Sequence, residues 1–161
     1  MHARDSAEAD RDHVVDAVLA ASRAIVALSV RSLSAVSEDV TLTQYRTLVV
    51  LASRGPQTVA ALAEDLGVTA PTASRMCDRL VRDRLISRTA DPGDRRRVSL
   101  ALTTTGRRLL NDVTDRRRVE IRGVLEGMPA ELQRTLVDGL HRFAAAAGEV
   151  PEQEWGAGWE L

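Results

Sequence analysis

Between Thr58 and Thr103 the chain passes through helix, tight turn, helix, strand, charged loop and strand, an order that few folds accommodate in so short a span. Val59 to Leu66 is short and apolar on one face, and Gly67 follows where a helix commonly stops in a left-handed residue. Thr69 is placed to cap the next helix with its hydroxyl. From Ala70 to Val81 the residues Ala73, Met76, Cys77, Leu80 and Val81 recur at helical spacing, so one side of this helix belongs to a core. The other side presents Pro71, Thr72, Arg75, Arg79 and Arg82, with Ser74 on the flank. Two helices joined by a short glycine-containing turn, the second exposing hydroxyls and arginines, predict a helix-turn-helix whose second helix enters a major groove.

The next segment extends the same unit. Leu85 to Thr89 and Val98 to Leu102 alternate as half-buried strands do, with the charged run Ala90 to Arg97 between them. Arg95, Arg96 and Arg97 at the tip of such a hairpin can reach phosphates or a narrow minor groove, where the potential is most negative. A winged helix-turn-helix is expected over residues 43–103. Its DNA-contact set is Thr69, Ala70, Pro71, Thr72, Ser74, Arg75 and Arg79 on the helix, with Asp94, Arg95, Arg96 and Arg97 on the wing.

Net charge argues for DNA only when divided by region. The whole chain of 161 residues carries −1. From Thr69 to Arg97, eight arginines against four aspartates leave +4, and the remainder holds −5. Positive charge is concentrated where a polyanion would lie. All 22 basic residues are arginine, a uniform bias that reflects composition more than function.

Outside this unit the pattern is helical and amphipathic. A long helix is expected from Arg11 to Val36, carrying Val14, Val15, Val18, Leu19, Ile25, Val26 and Leu33. Thr43 is a candidate cap for a helix from Gln44 to Arg54, which Gly55-Pro56 ends by a left-handed residue and a ring that cannot continue it. After Thr103 another long helix runs to about Glu126, interrupted by Arg116-Arg117-Arg118, and a last one spans Ala130 to Ala147. These helices exceed what one winged domain needs to cover itself. Residues 11–37 and 104–147 therefore read as a helical dimerisation region. Residues 1–10 read as a flexible N-terminus and 148–161 as a flexible acidic tail, the docking of Trp155 and Trp159 being the alternative. The fold class is mainly α with a small β-hairpin wing, flanked by terminal dimerisation helices.

The runs Leu42-Thr43-Gln44, Gly55-Pro56, Thr58-Val59-Ala60-Ala61-Leu62-Ala63, Leu66-Gly67-Val68, Pro71-Thr72, Arg79-Leu80, Asp91-Pro92-Gly93-Asp94-Arg95-Arg96 and Leu102-Thr103-Thr104-Thr105-Gly106 closely resemble the MarR family of bacterial transcriptional regulators. The resemblance covers Leu42 to roughly Leu110, and the wing motif followed by Leu-Thr-x-x-Gly is its most specific part. It implies a homodimer binding a pseudo-palindromic double-stranded DNA operator, usually as a repressor relieved by a small molecule or by oxidation. It also implies Arg96 as the minor-groove residue and Asp94 as the partner that holds the wing.

The resemblance further implies a pocket between the dimer helices and the winged domain for phenolic or other aromatic, anionic effectors. Arg23, Tyr45 and Arg46 lie near that region by position, and His13 near the start of the first helix is a further candidate. Two positions depart from the family pattern. Arg84 stands before Leu85 where glycine is usual, and Ala70 stands where a polar or basic residue is common. Cys77 lies on the apolar face, away from the start of the first helix where sensing cysteines of the family sit, so it reads as a buried structural thiol.

Other classes find little support. No nucleophile-and-base motif, phosphate-cradling loop or carboxylate cluster suggests an enzyme or a cofactor. His2, His13 and His141 are scattered, without a second ligand at a metal-like interval. No run reaches the roughly 18 apolar residues of a membrane span and no signal-peptide pattern opens the chain, so a cytoplasmic protein is expected. The competing functional class is a protein-interaction or ligand-binding module that uses a winged-helix fold without specific DNA reading.

Overall fold

The computed structural model describes residues 2–90 and 98–155. Helix α1 spans His2–Ser34, α2 Leu42–Arg54, α3 Val59–Leu66 and α4 Ala70–Arg82. Strands β1 (Ile86–Ala90) and β2 (Val98–Leu102) follow, then α5 (Thr104–Leu125), α6 (Ala130–Ala146) and a 3-10 turn at Glu152–Glu154. The strands pair antiparallel, Ile86 opposite Leu102 and Ala90 opposite Val98. Gln57 adds a short third rung, its N–H donating to Leu100 O at 3.0 Å and its carbonyl accepting from Leu100 N at 2.7 Å. That rung ties the wing to the loop before α3.

The core lies where α2, α4 and β2 meet α5. Leu48, Leu62, Leu80, Ile86, Leu100 and Val113 are fully buried. The buried hydroxyls are satisfied locally: Ser32 donates to Leu28 O at 2.8 Å and Thr47 to Thr43 O at 3.0 Å. Such back-bonding lets a polar side chain enter a core without an orphaned donor.

Several local expectations shift. Helix α1 starts at His2 rather than Arg11; residues 2–10 include no glycine or proline to stop it. The loose terminus expected over residues 1–10 is therefore helical from His2. The cap of α2 is Thr41 rather than Thr43. Gln44 sits at the third helical position, so Thr41 Oγ1 accepts from Gln44 N while Gln44 Oε1 accepts from Thr41 N at 2.8 Å, a reciprocal capping box. Gly55 has φ 86° but ψ −166°, so it turns the chain out of α2 without entering the left-handed helical region.

Among the described residues, Asp10–Ser34 of α1 is long and apolar enough on average to cross a membrane, with a mean hydropathy of 1.6 in its most apolar window, but Asp16, Arg23 and Arg31 interrupt it and it holds no continuous apolar run of that length. Only the C-terminal end of that helix packs on the rest of the chain. Leu28, Ser29, Ser32 and Leu33 are buried against the domain, and Arg31 pairs with Glu120 of α5 at 3.1 Å.

Arg84 has φ 58°, the one positive-φ residue other than glycine among the described residues. It occupies the left-handed position of a Schellman ending to α4: Leu85 N donates to Leu80 O at 2.9 Å and Arg84 N to Val81 O at 3.0 Å. Leu80 and Leu85, both buried, make the accompanying apolar contact. The Leu-Thr-x-x-Gly motif explains itself beside this turn. Thr103 Oγ1 caps α5 by accepting from Gly106 N at 3.0 Å. A Cβ on Gly106 would fall 2.1 Å from Leu85 O, so only glycine lets α5 approach that backbone.

Candidate nucleic-acid interface

Helix α4 is presented by its neighbours. Ala73, Cys77 and Leu80 are fully buried against the core, and α3 ends in the tight turn that sequence implied. Gly67 is left-handed at φ 63°, ψ 32°, with Val68 N donating to Ala63 O at 3.0 Å. Proline near the first helical position costs no hydrogen bond there. Thr69, Ala70, Pro71, Thr72, Arg75, Arg79 and Arg82 are all exposed, and Ser74 is half-buried. They form one hydroxyl- and guanidinium-bearing face on a helix whose opposite face is fixed.

Three details of that face were not legible in sequence. Thr69 makes no side-chain cap; its hydroxyl lies 3.0 Å from that of Thr72, and the pair forms a polar edge at the start of the helix. Arg79 Nη2 donates to Asp39 O at 3.4 Å, which tethers its guanidinium to the α1–α2 connector. Asp78, one helical step from Arg79, pairs with Arg88 of β1 at 2.5 Å and so couples the helix to the wing strand. Asp94, Arg95, Arg96 and Arg97 lie outside the described residues.

Cys77 is enclosed by the core. Burial pushes its thiol above the ordinary value; Arg88 pulls it down and Asp78 pushes it up further. A thiol so shielded and so reluctant to ionise is a packing residue.

A second feature lies between α1, α2 and α5: a cavity of about 750 Å³. Tyr45 and Arg46 line it, together with Ile25, Val26, Arg117 and Arg118. The Arg117 guanidinium sits 5.2 Å from the centre of the Tyr45 ring, in cation–π range, and its buried Nε–H has no hydrogen-bond partner among the described residues. His13 and Arg23 do not line the cavity. His13 is about 18 Å up the helix from Ile25, and Arg23 is rotated about a third of a turn off the face that Ile25, Val26 and Ser29 share. In sequence Arg116-Arg117-Arg118 stands out only as a break in an apolar stripe. That break was the signal.

The tail expected to be loose forms part of the same region over 148–155. Arg46 donates to both carboxylate oxygens of Glu149 through its two terminal nitrogens, Nη1 at 2.9 Å and Nη2 at 2.5 Å, and Arg118 pairs with Glu152 at 2.7 Å. Trp155 packs on the core, its indole N–H donating to Val150 O at 2.9 Å. Trp159 lies outside the described residues. Among the described residues no group of acidic, histidine or cysteine side chains has the arrangement of a metal site.

A supported helix-turn-helix with a hairpin wing and an arginine- and hydroxyl-bearing second helix defines a DNA-binding transcriptional regulator. Residues 40–98 match the model of the MarR family. The crystal structure of RV1404 from Mycobacterium tuberculosis is 43% identical, with a TM-score of 0.82 over 87% of this chain and 95% of that one. The helix-turn-helix-type transcriptional regulator YfiV of Bacillus subtilis (strain 168) is 25% identical over 67% of this chain and 68% of its own length. A MepR mutant of S. aureus, solved bound to an oligodeoxyribonucleotide, shares the fold at 23% identity and a TM-score of 0.61, covering 83% of this chain and 96% of that one. The chain belongs to the MarR family of transcriptional regulators.

Proposed function

We propose that the protein is a cytoplasmic, homodimeric repressor that binds a pseudo-palindromic operator and leaves it when a small aromatic acid binds, and that it has no catalytic role. The observation that carries DNA reading is the outer face of α4, fixed by buried Ala73, Cys77 and Leu80 on its other side. In this reading α4 enters the major groove. Thr69, Thr72, Ser74 and Arg75 face base edges, Ala70 and Pro71 offer apolar contact, and Arg79 reaches phosphate or guanine. The wing residues Arg95, Arg96 and Arg97 follow the minor groove, with Asp94 holding their loop. The S. aureus MepR mutant, of the same fold, was solved bound to an oligodeoxyribonucleotide, which supports DNA as the partner.

Dimerisation is supported by what one chain leaves uncovered. Val14, Val15 and Leu19 of α1, Val124 of α5, and Leu140 and Phe143 of α6 each expose half or more of their surface. A second copy with its helices intertwined would bury them. Two recognition helices would then address half-sites roughly 34 to 36 Å apart. The cavity beside Tyr45, with the Nε–H of Arg117 unpartnered among the described residues, supports an effector bearing an acceptor oxygen and a flat apolar body. Such a ligand acts by favouring one spacing of the recognition helices over another.

Arg75→Ala tests the assignment of α4. Its stem is exposed, so the fold should persist while operator affinity falls by about 1 to 3 kcal/mol if a bidentate guanine contact is lost. Unchanged affinity for operator and for unrelated DNA would remove Arg75 from the reading face.

A further inference from the structure

Every third residue of the C-terminal segment, Glu149, Glu152 and Trp155, lines the cavity beside Tyr45. The two carboxylates engage Arg46 and Arg118, cationic side chains that also line it. The segment is tethered at its start as well, where Arg54 donates to Gly148 O at 3.4 Å. The chain thus presents carboxylates and a flat ring to its own cavity, the same chemistry as an aromatic acid. We infer that residues 149–155 are an intramolecular competitor for this site, a strap that closes the cavity by occupying Arg46 and Arg118 and swings out when an aromatic carboxylate takes its place. The inference rests on the reading of the cavity as an effector site.

The physical design suits a reversible strap. Arg46 and Glu149 each keep about two-fifths of their side-chain surface in water, at 43% and 42%. Exposed ion pairs of this kind are individually weak and screened by salt. Trp155 supplies the apolar anchor, packed on the core and only half-buried. A segment held by two weak pairs and one partly covered ring is ordered, yet a ligand that offers the same groups in one rigid molecule can displace it. A strap of this kind lowers apparent affinity by the fraction of time it is closed.

The experiment uses the full chain with Trp159→Phe, leaving Trp155 as the only tryptophan, and compares it with the same protein carrying Glu149→Gln and Glu152→Gln. Two quantities are read: acrylamide quenching of Trp155 fluorescence, and calorimetric affinity for 1-naphthoate as an aromatic carboxylate probe. The inference expects Trp155 to become more quenchable in the double variant. It also expects naphthoate to bind about 3- to 10-fold more tightly, as when a state closed roughly 70 to 90 per cent of the time is abolished. Unchanged quenching would show that these carboxylates do not hold the segment. Increased quenching with unchanged or weaker naphthoate binding would show that the tail does not compete, and would leave the effector site standing. Failure of naphthoate to bind either protein would overturn the effector reading, and the competition with it.

Discussion

Leu48, Leu62, Leu80 and Leu100 of the winged unit are fully buried within one chain, whereas α6 buries none of its residues. Leu132, Leu140 and Phe143 on that helix, at 53%, 52% and 55% exposure, are as apolar as anything in the core. Both regions carry helical apolar stripes. They differ in whether a partner for the stripe exists in the same chain. The winged unit closes on itself because α2, α3, α4, the hairpin and the first half of α5 surround one another. The outer helices end in solvent, which is the arrangement expected of surfaces meant for another copy.

The contrast can be broken most forcefully in the core. Leu48→Ala should destabilise the winged unit by about 2 to 5 kcal/mol, the usual cost of a cavity at a fully buried leucine. Urea denaturation checks it, and a loss below about 1 kcal/mol would mean that the site collapses or is less confined than its burial indicates. Phe143→Asp sits on the other side of the comparison. It should cost the monomer little, yet weaken self-association by about 2 kcal/mol or more, as loss of an aromatic anchor does at an interface centre. Sedimentation across a concentration series separates the two effects. A variant as dimeric as the parent would take α6 out of the interface.

A smaller change sharpens the account of the winged unit. Arg84 holds a left-handed backbone at φ 58° in a turn where the family pattern has glycine. The strain of roughly 1 to 2 kcal/mol exceeds the extra chain entropy that glycine loses on folding, roughly 0.5 to 1 kcal/mol. Arg84→Gly should therefore stabilise the protein by about 0.5 to 1 kcal/mol in the same denaturation assay. A loss of stability would show that the arginine side chain contributes more than its backbone costs.

These particular residues also show what could be read in advance. Gly67, the apolar phase of Ala73, Cys77 and Leu80, and the alternating strands all act over a few neighbouring residues, so the helix-turn-helix and its wing were visible in sequence. The cap of α2 was misplaced from Thr41 to Thr43 because both are threonines, and only the reach of Gln44 back to Thr41 N decides between them. The ordering of the tail was hidden for a different reason. Arg46 and Glu149 are 103 residues apart, and an ion pair between such distant positions leaves no local period. Arg117 escaped as a cavity residue because its partner Tyr45 lies on another helix. His13 and Arg23 were assigned by nearness along the chain, and the phase and length of α1 carry them elsewhere.

The smallest expected effect lies at alkaline pH. Burial raises the Cys77 thiol above its ordinary 9.0, with Arg88 opposing and Asp78 reinforcing the shift. The unfolded chain therefore releases this proton first. The stability contributed by the neutral buried thiol is complete below the unfolded value and is lost as pH rises through the folded one. Comparing denaturation midpoints at about pH 8 and about pH 10, the parent should lose more stability than Cys77→Ala. Equal losses would mean that the thiol is not shielded.

The central claim is that a winged unit complete within one chain is paired by helices that are not, so that two copies read one operator. Titrating the purified protein with the duplex immediately upstream of its own gene, and with an unrelated duplex of equal length, at several salt concentrations, tests it most directly. The account expects two chains per site, clear preference for the upstream duplex, and affinity that falls steeply with salt as arginines release counterions from phosphate. Equal, weak binding to both duplexes would contradict it and would favour an interaction module built on a winged fold.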